Sequence, residues 1–169
     1  MIATHLELLP VLPEHRRAIQ RGSEELRPLI KLAIPDDWPE FPEAFAGEPK
    51  HDPDWPAYFF VDRTAGALVG NGGFYGPPSD THEVEIGYEV APAHQNKGYA
   101  TAAAKALVAI AFARPIVQAV IAHTLAERNA SNAVLGKAGF TFVGERANPE
   151  VGTVWKWRLS RVDRRSTMS

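Results

Sequence analysis

The amino-acid sequence predicts an α/β layered domain, in which helices cover the faces of a mixed, largely antiparallel sheet. Three observations predict it. Strand-like and helix-like segments alternate along the 169 residues, in the order strand, two helices, three strands, helix, strand, helix and two strands. The segment 98–114 is alanine-rich and apolar on nearly all sides, which indicates a buried helix. The last two strand segments follow each other directly, as in an antiparallel pair.

Local signals place each element along the chain. Pro13 suits the first turn of a helix, and Ser23 suits the cap of the next one. Residues 63–66, which end in glycine, suit a hairpin turn, and Gly139 suits the end of the last helix. The predicted helices lie at 13–20, 23–33, 98–114 and 129–137, and the predicted strands at 5–10, 57–62, 67–75, 83–90, 117–125, 141–146 and 153–159.

The most informative segment is the turn that joins strand 83–90 to the buried helix. Residues 95–100 read Gln-Asn-Lys-Gly-Tyr-Ala, and a strand that enters a helix through such a turn presents several unpaired backbone N–H groups. The helix dipole adds partial positive charge, so the turn suits a phosphate or diphosphate. Gly98 permits close approach of an anion, and Lys97 adds a charge. Taken alone, a glycine at such a turn more often serves only to ease the turn, and the wider context changes that balance.

Composition narrows the classes of function. The formal net charge of −2 provides no basic field for nucleic acid, and no apolar run reaches the roughly 18–20 residues that a membrane span requires. The chain has no cysteine, which excludes disulfides, thiolate zinc sites and a cysteine acyl-enzyme. The histidines lack metal-ligand spacing, so we expect no metal. We read no signal peptide at the N-terminus and therefore expect a cytoplasmic protein.

Residues 83–144 resemble the GNAT superfamily of acetyl-CoA-dependent N-acetyltransferases. Residues 95–100 match its Gln/Arg-x-x-Gly-x-Gly/Ala pattern, and 84–92 are similar to its fourth strand. The sequence Asn-Ala-Ser-Asn at 129–132, followed by Lys-Ala-Gly-Phe at 137–140, is similar to its second cofactor-side motif. The similarity is greatest to the RimJ/RimL-like branch, which includes N-terminal acetyltransferases of ribosomal proteins. It implies a seven-stranded sheet with a splayed V between strands 4 and 5, an acetyltransferase domain over 1–160, and a flexible tail at 161–169.

The resemblance implies a binding site for acetyl-CoA. In this family pantetheine pairs with the splayed fourth strand as an added strand would, and N–H groups of the following turn hold the diphosphate. We assign the Val90 N–H to polarise the thioester carbonyl, on which charge develops during attack. The implied cofactor-binding residues are Tyr88, Glu89, Val90, Gln95, Asn96, Lys97, Gly98, Tyr99, Ala100, Thr101, Asn129 and Asn132.

The resemblance also implies the acid–base groups. Glu85 falls where several family members carry a glutamate that accepts the amine proton; a solvent-facing carboxylate without that role is the equal alternative, and Glu83 and Glu89 are the alternates. Ser131 falls where the ribosomal branch offers a serine as general acid, although it would also cap the short helix. Many relatives carry a tyrosine where this chain has Leu135, which departs from the commonest pattern.

These features predict transfer of acetyl from acetyl-CoA to a primary amine, on a peptide N-terminus or a small molecule, by direct attack in a ternary complex. The alternative is a non-catalytic acyl-CoA-binding sensor or scaffold, which needs the turn but no base. A monomer and a homodimer are both compatible with the sequence. His123 lies in a predicted strand, and we interpret it as a hydrogen-bonded residue rather than a catalytic one.

The segment 35–56 separates the predicted helices from the central strands, and it is rich in proline, tryptophan and acidic residues. Long irregular segments of this kind are often functional. Its carboxylates are either simply solvated or attract a cationic acceptor amine. Its aromatic side chains either cover the core or wall the acceptor pocket; they are Trp38, Phe41, Phe45 and Trp55, with Tyr58 just beyond.

Overall fold

The computed structural model of the chain describes residues 5–46, 54–126 and 130–168. Seven strands form one sheet in the order β1-β2-β3-β4-β5-β7-β6, with β4 and β5 parallel and the other described pairings antiparallel. The predicted fold class is confirmed. The strands are β1 (Leu6–Pro10), β2 (Ala57–Asp62), β3 (Ala67–Phe74), β4 (Glu83–Val90), β5 (Ala119–Leu125), β6 (Thr141–Asn148) and β7 (Gly152–Ser160). The α-helices are α1 (Pro13–Arg21), α2 (Arg27–Ile30), α3 (Tyr99–Phe112), α4 (Ala130–Lys137) and α5 (Arg161–Met168).

The chain divides into two compact units, and both β4 and α3 contribute residues to each. The first unit comprises Met1–Gly73 with Tyr88–Ala103, and the second comprises Phe74–Gly87 with Ala104–Ser169. The first unit has an apolar core in which Trp38 and Phe45, from the irregular segment, pack against Phe59 of β2 with ring centroids 6.1 and 6.2 Å apart. Both side chains are 2% exposed, which supports the interpretation that these aromatics cover the core.

In the second unit the parallel ladder between β4 and β5 is short. It pairs Glu83 with Ala119 and ends where Glu85 meets Ile121, although β5 continues to Leu125 and β4 to Val90. The sheet continues through β7, which pairs with β5 along the whole of that strand. The paired part of β4 and β5 is therefore limited to three residues on each strand.

Two elements differ from the sequence-based expectations. The predicted helix over 23–33 is a 3₁₀ turn (Ser23–Leu26) followed by the short α2, and the left-handed backbone of Lys31, with φ 59°, ends it. The chain beyond it is instead drawn into a parallel bridge between Ala33 and Ala67. The segment 161–169, expected to be a tail, contains α5, and Arg161 donates hydrogen bonds to three carbonyls between residues 112 and 117.

Candidate active site

The turn before α3 presents a row of backbone N–H groups. Asn96 and Gly98 adopt left-handed conformations, with φ of 64° and 85°, so the chain curls just before the helix begins at Tyr99. Within the described part of the chain, no backbone carbonyl accepts from the N–H groups of residues 96–101. Residues 95–98 are exposed. Free donors at the positive end of a 14-residue helix fit an anionic group such as a diphosphate.

The end of β4 is held firmly beside this turn. The Gln95 side-chain amide donates to the Val90 carbonyl oxygen at 3.1 Å, and the Ala91 N–H donates to the Val69 carbonyl oxygen at 2.8 Å. Gly70 of β3 lies so close that a Cβ there would stand 2.2 Å from the Glu89 carbonyl oxygen. The predicted cofactor-binding residues of β4 and the turn therefore lie in one unit with a constrained backbone.

Tyr99 and Glu89, both predicted to contact the cofactor, have side chains that bond within the first unit. The buried Tyr99 hydroxyl donates to Asp62 at 2.6 Å; this bond raises the pKa of Tyr99 to about 12 and helps to lower the pKa of Asp62. The Glu89 carboxylate accepts from the N–H groups of Glu40 and Phe41, each at 3.1 Å. Burial raises the pKa of Glu89. Only the backbone of these two residues is left for the cofactor role.

In the second unit, Glu85 lies beside a histidine from the neighbouring strand. Its Oε2 is 3.1 Å from Nδ1 of His123, and the side chains are 29% (His123) and 33% (Glu85) exposed. His123 pairs with Lys156 across β5 and β7, so these two side chains share the same face of the sheet. Glu85, the predicted base, is therefore an accessible carboxylate in contact with a second protonatable group.

Two more contacts occupy the same face of β4. Glu83, an alternate base, accepts a 2.7 Å ion pair from Nε of Arg158. The Tyr75 hydroxyl lies over Gly87, where a Cβ would stand 2.5 Å from the hydroxyl oxygen. The outward face of β4 thus carries an ion pair at Glu83, the histidine contact at Glu85 and an aromatic ring at Gly87.

The second motif of the family is only partly described. Asn129 lies outside the described residues, and Ser131 is half-buried at the start of α4. The Asn132 side-chain oxygen accepts a short hydrogen bond from Thr124 and a 3.0 Å bond from Trp157 Nε1, so this oxygen is committed to the protein. Leu135, which stands in place of the family tyrosine, is fully buried.

From the sequence, His123 is expected only to be hydrogen-bonded, and Tyr75 carries no predicted role. Glu85 and His123 are 38 positions apart, and only the parallel register, with Glu85 opposite Ile121, brings them together. The sequence does contain one indication of this contact. By strand alternation, Glu85 and His123 can lie on the same face of two strands that the resemblance places side by side.

Within residues 5–46, 54–126 and 130–168, no group of three or more histidine, aspartate or glutamate side chains is arranged to hold a metal ion. None of the helices there combines the length and apolar character needed to cross a bilayer.

Comparison with known proteins identifies the family. The model of the acetyltransferase (GNAT) domain matches residues 5–141, and the chain therefore belongs to the GNAT acetyltransferase family. The uncharacterised N-acetyltransferase YjdG of Bacillus subtilis (strain 168) is 31% identical over 84 residues. That match covers 50% of this chain and 50% of YjdG, so the matched part of this chain spans about half the length of YjdG.

Solved structures share the fold at low sequence identity. A mutant of the spermidine N-acetyltransferase SpeG from Vibrio cholerae matches with a TM-score of 0.71 and 15% identity, covering 99% of this chain and 100% of that one. The aminoglycoside acetyltransferase AAC(6')-Ib in complex with coenzyme A and kanamycin matches with a TM-score of 0.71 and 17% identity, covering 97% and 99%. RimL, a ribosomal alpha-N-protein acetyltransferase in complex with coenzyme A, matches with a TM-score of 0.68 and 18% identity, covering 95% and 96%.

Proposed function

We propose that this protein transfers the acetyl group of acetyl-CoA to a primary amine by direct attack in a ternary complex. The observation that carries the proposal is the row of N–H groups at residues 96–101, of which residues 96–98 are exposed; none of the six donates to a backbone carbonyl in the described ranges. Buried backbone donors are normally paired, and a run of free donors at a helix N-terminus suits a diphosphate-bearing ligand. Membership of the GNAT family supports the same ligand.

The proposed cofactor contacts lie in the turn before α3 and at the end of β4. The N–H groups of residues 95–101 hold the diphosphate, and the backbone of residues 88–90 binds the pantetheine arm. Acetyl-CoA supplies the activated acetyl thioester. The Val90 N–H stabilises negative charge on the carbonyl oxygen, and the bond from Gln95 to the Val90 carbonyl keeps that part of β4 in a fixed orientation.

The proposed proton-handling groups are Glu85 and Ser131. An amine with a pKa near ~10 is mostly protonated at neutral pH and must lose a proton before it can attack. The accessible Glu85 carboxylate, with its histidine neighbour, forms the site that receives this proton. Ser131 is the proposed donor to the departing thiolate. A thiolate of pKa near ~8.5 leaves readily, so we expect a smaller effect from removal of Ser131 than of Glu85.

The acceptor that we propose is a cationic primary amine. The structurally similar proteins include acetyltransferases named for spermidine, an aminoglycoside and a ribosomal protein, in keeping with the proposed RimJ/RimL-like relationship. The acidic residues of the segment 35–56 favour the approach of a cation, since like-signed charges in one region raise the local concentration of the opposite charge.

A thiol-release assay tests the function. Acetyl-CoA is offered with polyamines, aminoglycosides, amino acids and N-terminal peptides, and release of free CoA is measured. Glu85→Gln should keep acetyl-CoA affinity and lower turnover at least about tenfold, as loss of proton transfer does. Glu83→Gln tests the alternate base two residues away on the same face, and an equal loss of turnover there would remove the preference for Glu85. Tight CoA binding without turnover on any amine would instead identify a sensor or scaffold.

A further inference from the structure

The contact between His123 and Glu85 determines which imidazole nitrogen is free. Glu85 Oε2 and His123 Nδ1 are 3.1 Å apart. An ionised carboxylate can only accept hydrogen bonds, so Nδ1 must carry the hydrogen. In the neutral ring the other nitrogen, Nε2, then holds the basic lone pair. The carboxylate thus fixes both the tautomer and the orientation of the imidazole, as a carboxylate does for the histidine of a catalytic triad.

Charged side chains flank His123 on both neighbouring strands. Lys156 lies directly opposite it on β7, on the same face of the sheet. Glu85 contacts it from β4. Arg158 and Glu83, farther along the same face, form an ion pair of their own, and Tyr75 lies over Gly87 as a phenol.

We propose that His123 Nε2, oriented by Glu85, accepts the proton of the acceptor amine. This inference rests on the proposed acetyl transfer and assigns its proton acceptor. An ammonium R–NH₃⁺ gives one proton to Nε2, and the imidazolium passes it to water. The free amine then forms the C–N bond with the acetyl carbon, while the C–S bond breaks and its electron pair leaves on sulfur. The nitrogen releases its second proton, and the thiolate takes up one to become CoA–SH.

The choice of histidine over glutamate follows from matching proton affinities. General-base catalysis is most effective when the base titrates near the working pH. Imidazole side chains ordinarily titrate near pH ~6.5, and carboxyl groups near pH ~4.3, so imidazole is the better match for an amine at neutral pH. Glu85 is therefore a positioning residue in this scheme, and its removal impairs the reaction through His123.

The test compares four variants of the full chain with the wild type. His123→Asn keeps a side-chain donor toward Glu85 but cannot accept the proton, and His123→Ala leaves room for added imidazole. Glu85→Gln removes the orienting charge. His82→Asn is the matched control, because His82 is a histidine of the same unit at φ 62°, a conformation that asparagine tolerates. Acetyl-CoA affinity and kcat/KM for the amine are measured for each, the latter from pH 5 to 9 with two amines of different pKa.

The expected result is a loss of about 100-fold in kcat/KM for His123→Asn, the usual scale of a general base, with acetyl-CoA affinity within twofold of wild type. Free imidazole should restore activity to His123→Ala and leave wild type unchanged. A fall in kcat/KM on the acid side of the pH profile, the same for both amines, should vanish in His123→Asn and persist in Glu85→Gln.

Two results would overturn the assignment while leaving the proposed function intact. The first is a kcat/KM of His123→Asn within twofold of wild type. The second is a low kcat/KM of His123→Ala that added imidazole does not raise, together with an unchanged fall of kcat/KM at acid pH. Failure of the proposed function has a different signature, since wild type itself would then bind acetyl-CoA without turning over any amine. His82→Asn should match wild type throughout.

Discussion

Replacement of Gly70 by alanine probes the backbone that we propose to hold pantetheine. Gly70 lies in β3, and a Cβ at this position would stand 2.2 Å from the Glu89 carbonyl oxygen and 3.0 Å from the Val90 Cα. Both contacts are with backbone, which cannot move aside as the end of a side chain can. The Glu89–Val90 peptide would have to retreat by about 1 Å to reach ordinary contact distance in a close-packed interior.

The magnitude follows from overpacking. An extra carbon in a well-packed region costs about 1–3 kcal/mol, and we expect Gly70→Ala to lower the free energy of unfolding by that amount. The same shift moves the Val90 N–H, and a misplacement of about 1 Å in a reacting group lowers the rate by as much as ~100-fold. Acetyl-CoA affinity should fall as well, because the strand that receives pantetheine has moved.

The assay pairs urea unfolding with calorimetric titration of acetyl-CoA, and Gly136→Ala serves as the control. Gly136 lies in α4, and nothing stands within 4 Å of a Cβ placed there. Alanine is favoured over glycine in a helix by up to ~1 kcal/mol, so the control should be at least as stable as wild type. A Gly70→Ala variant with wild-type stability and affinity would refute the reasoning.

The remaining predictions concern stability. Tyr99→Phe should cost about 1–3 kcal/mol at neutral pH because it removes a buried bond to the Asp62 carboxylate. The pKa of Asp62 is lowered on folding, so its contribution is present above the ordinary carboxyl pKa and is lost as pH falls. The pKa of Tyr99 is raised to about 12, so its contribution is present below pH ~10 and is lost as pH rises through about 12. The urea midpoints of wild type and Tyr99→Phe should therefore converge at low pH and at high pH. Midpoints that differ by the same amount at every pH would contradict this account. Arg161→Ala should cost about 1–3 kcal/mol because it removes the guanidinium that donates to three carbonyls between residues 112 and 117. Thermal melts should show a smaller loss of stability for Arg164→Ala, which removes a guanidinium 5.5 Å from the Phe112 ring centroid. An equal loss of stability in the two variants would argue against the role of the carbonyl bonds.

The parts of the fold and site that depend on local sequence were predictable. The strand–turn–helix at 83–114 combines alternation, a turn glycine and a uniformly apolar helix, and the structure has all three in place. Left-handed backbone at Asn96 and Gly98 is typical of these two residue types. Local preference and tertiary packing agree here, which is why the sequence sufficed.

The parts that depend on distant contacts were not predictable. The helix expected over 23–33 ends at Lys31 because the following residues pair with the start of β3 through Ala33. Tertiary pairing overrides helix propensity at such a point. The Glu89 carboxylate likewise accepts from N–H groups of residues 40 and 41, which precede it by 49 and 48 positions in the chain. No local sequence pattern marks this contact.

The most direct test of the account is nuclear magnetic resonance of the backbone amides at residues 96–101. The ¹H–¹⁵N signals are followed as coenzyme A is added, and again with acetyl-pantetheine, which carries the thioester arm without the diphosphate. We expect large shifts of these six amides with coenzyme A and small ones with acetyl-pantetheine. Signals that stay in place when coenzyme A is saturating, or that move equally with both compounds, would contradict the claim that these amides bind a diphosphate.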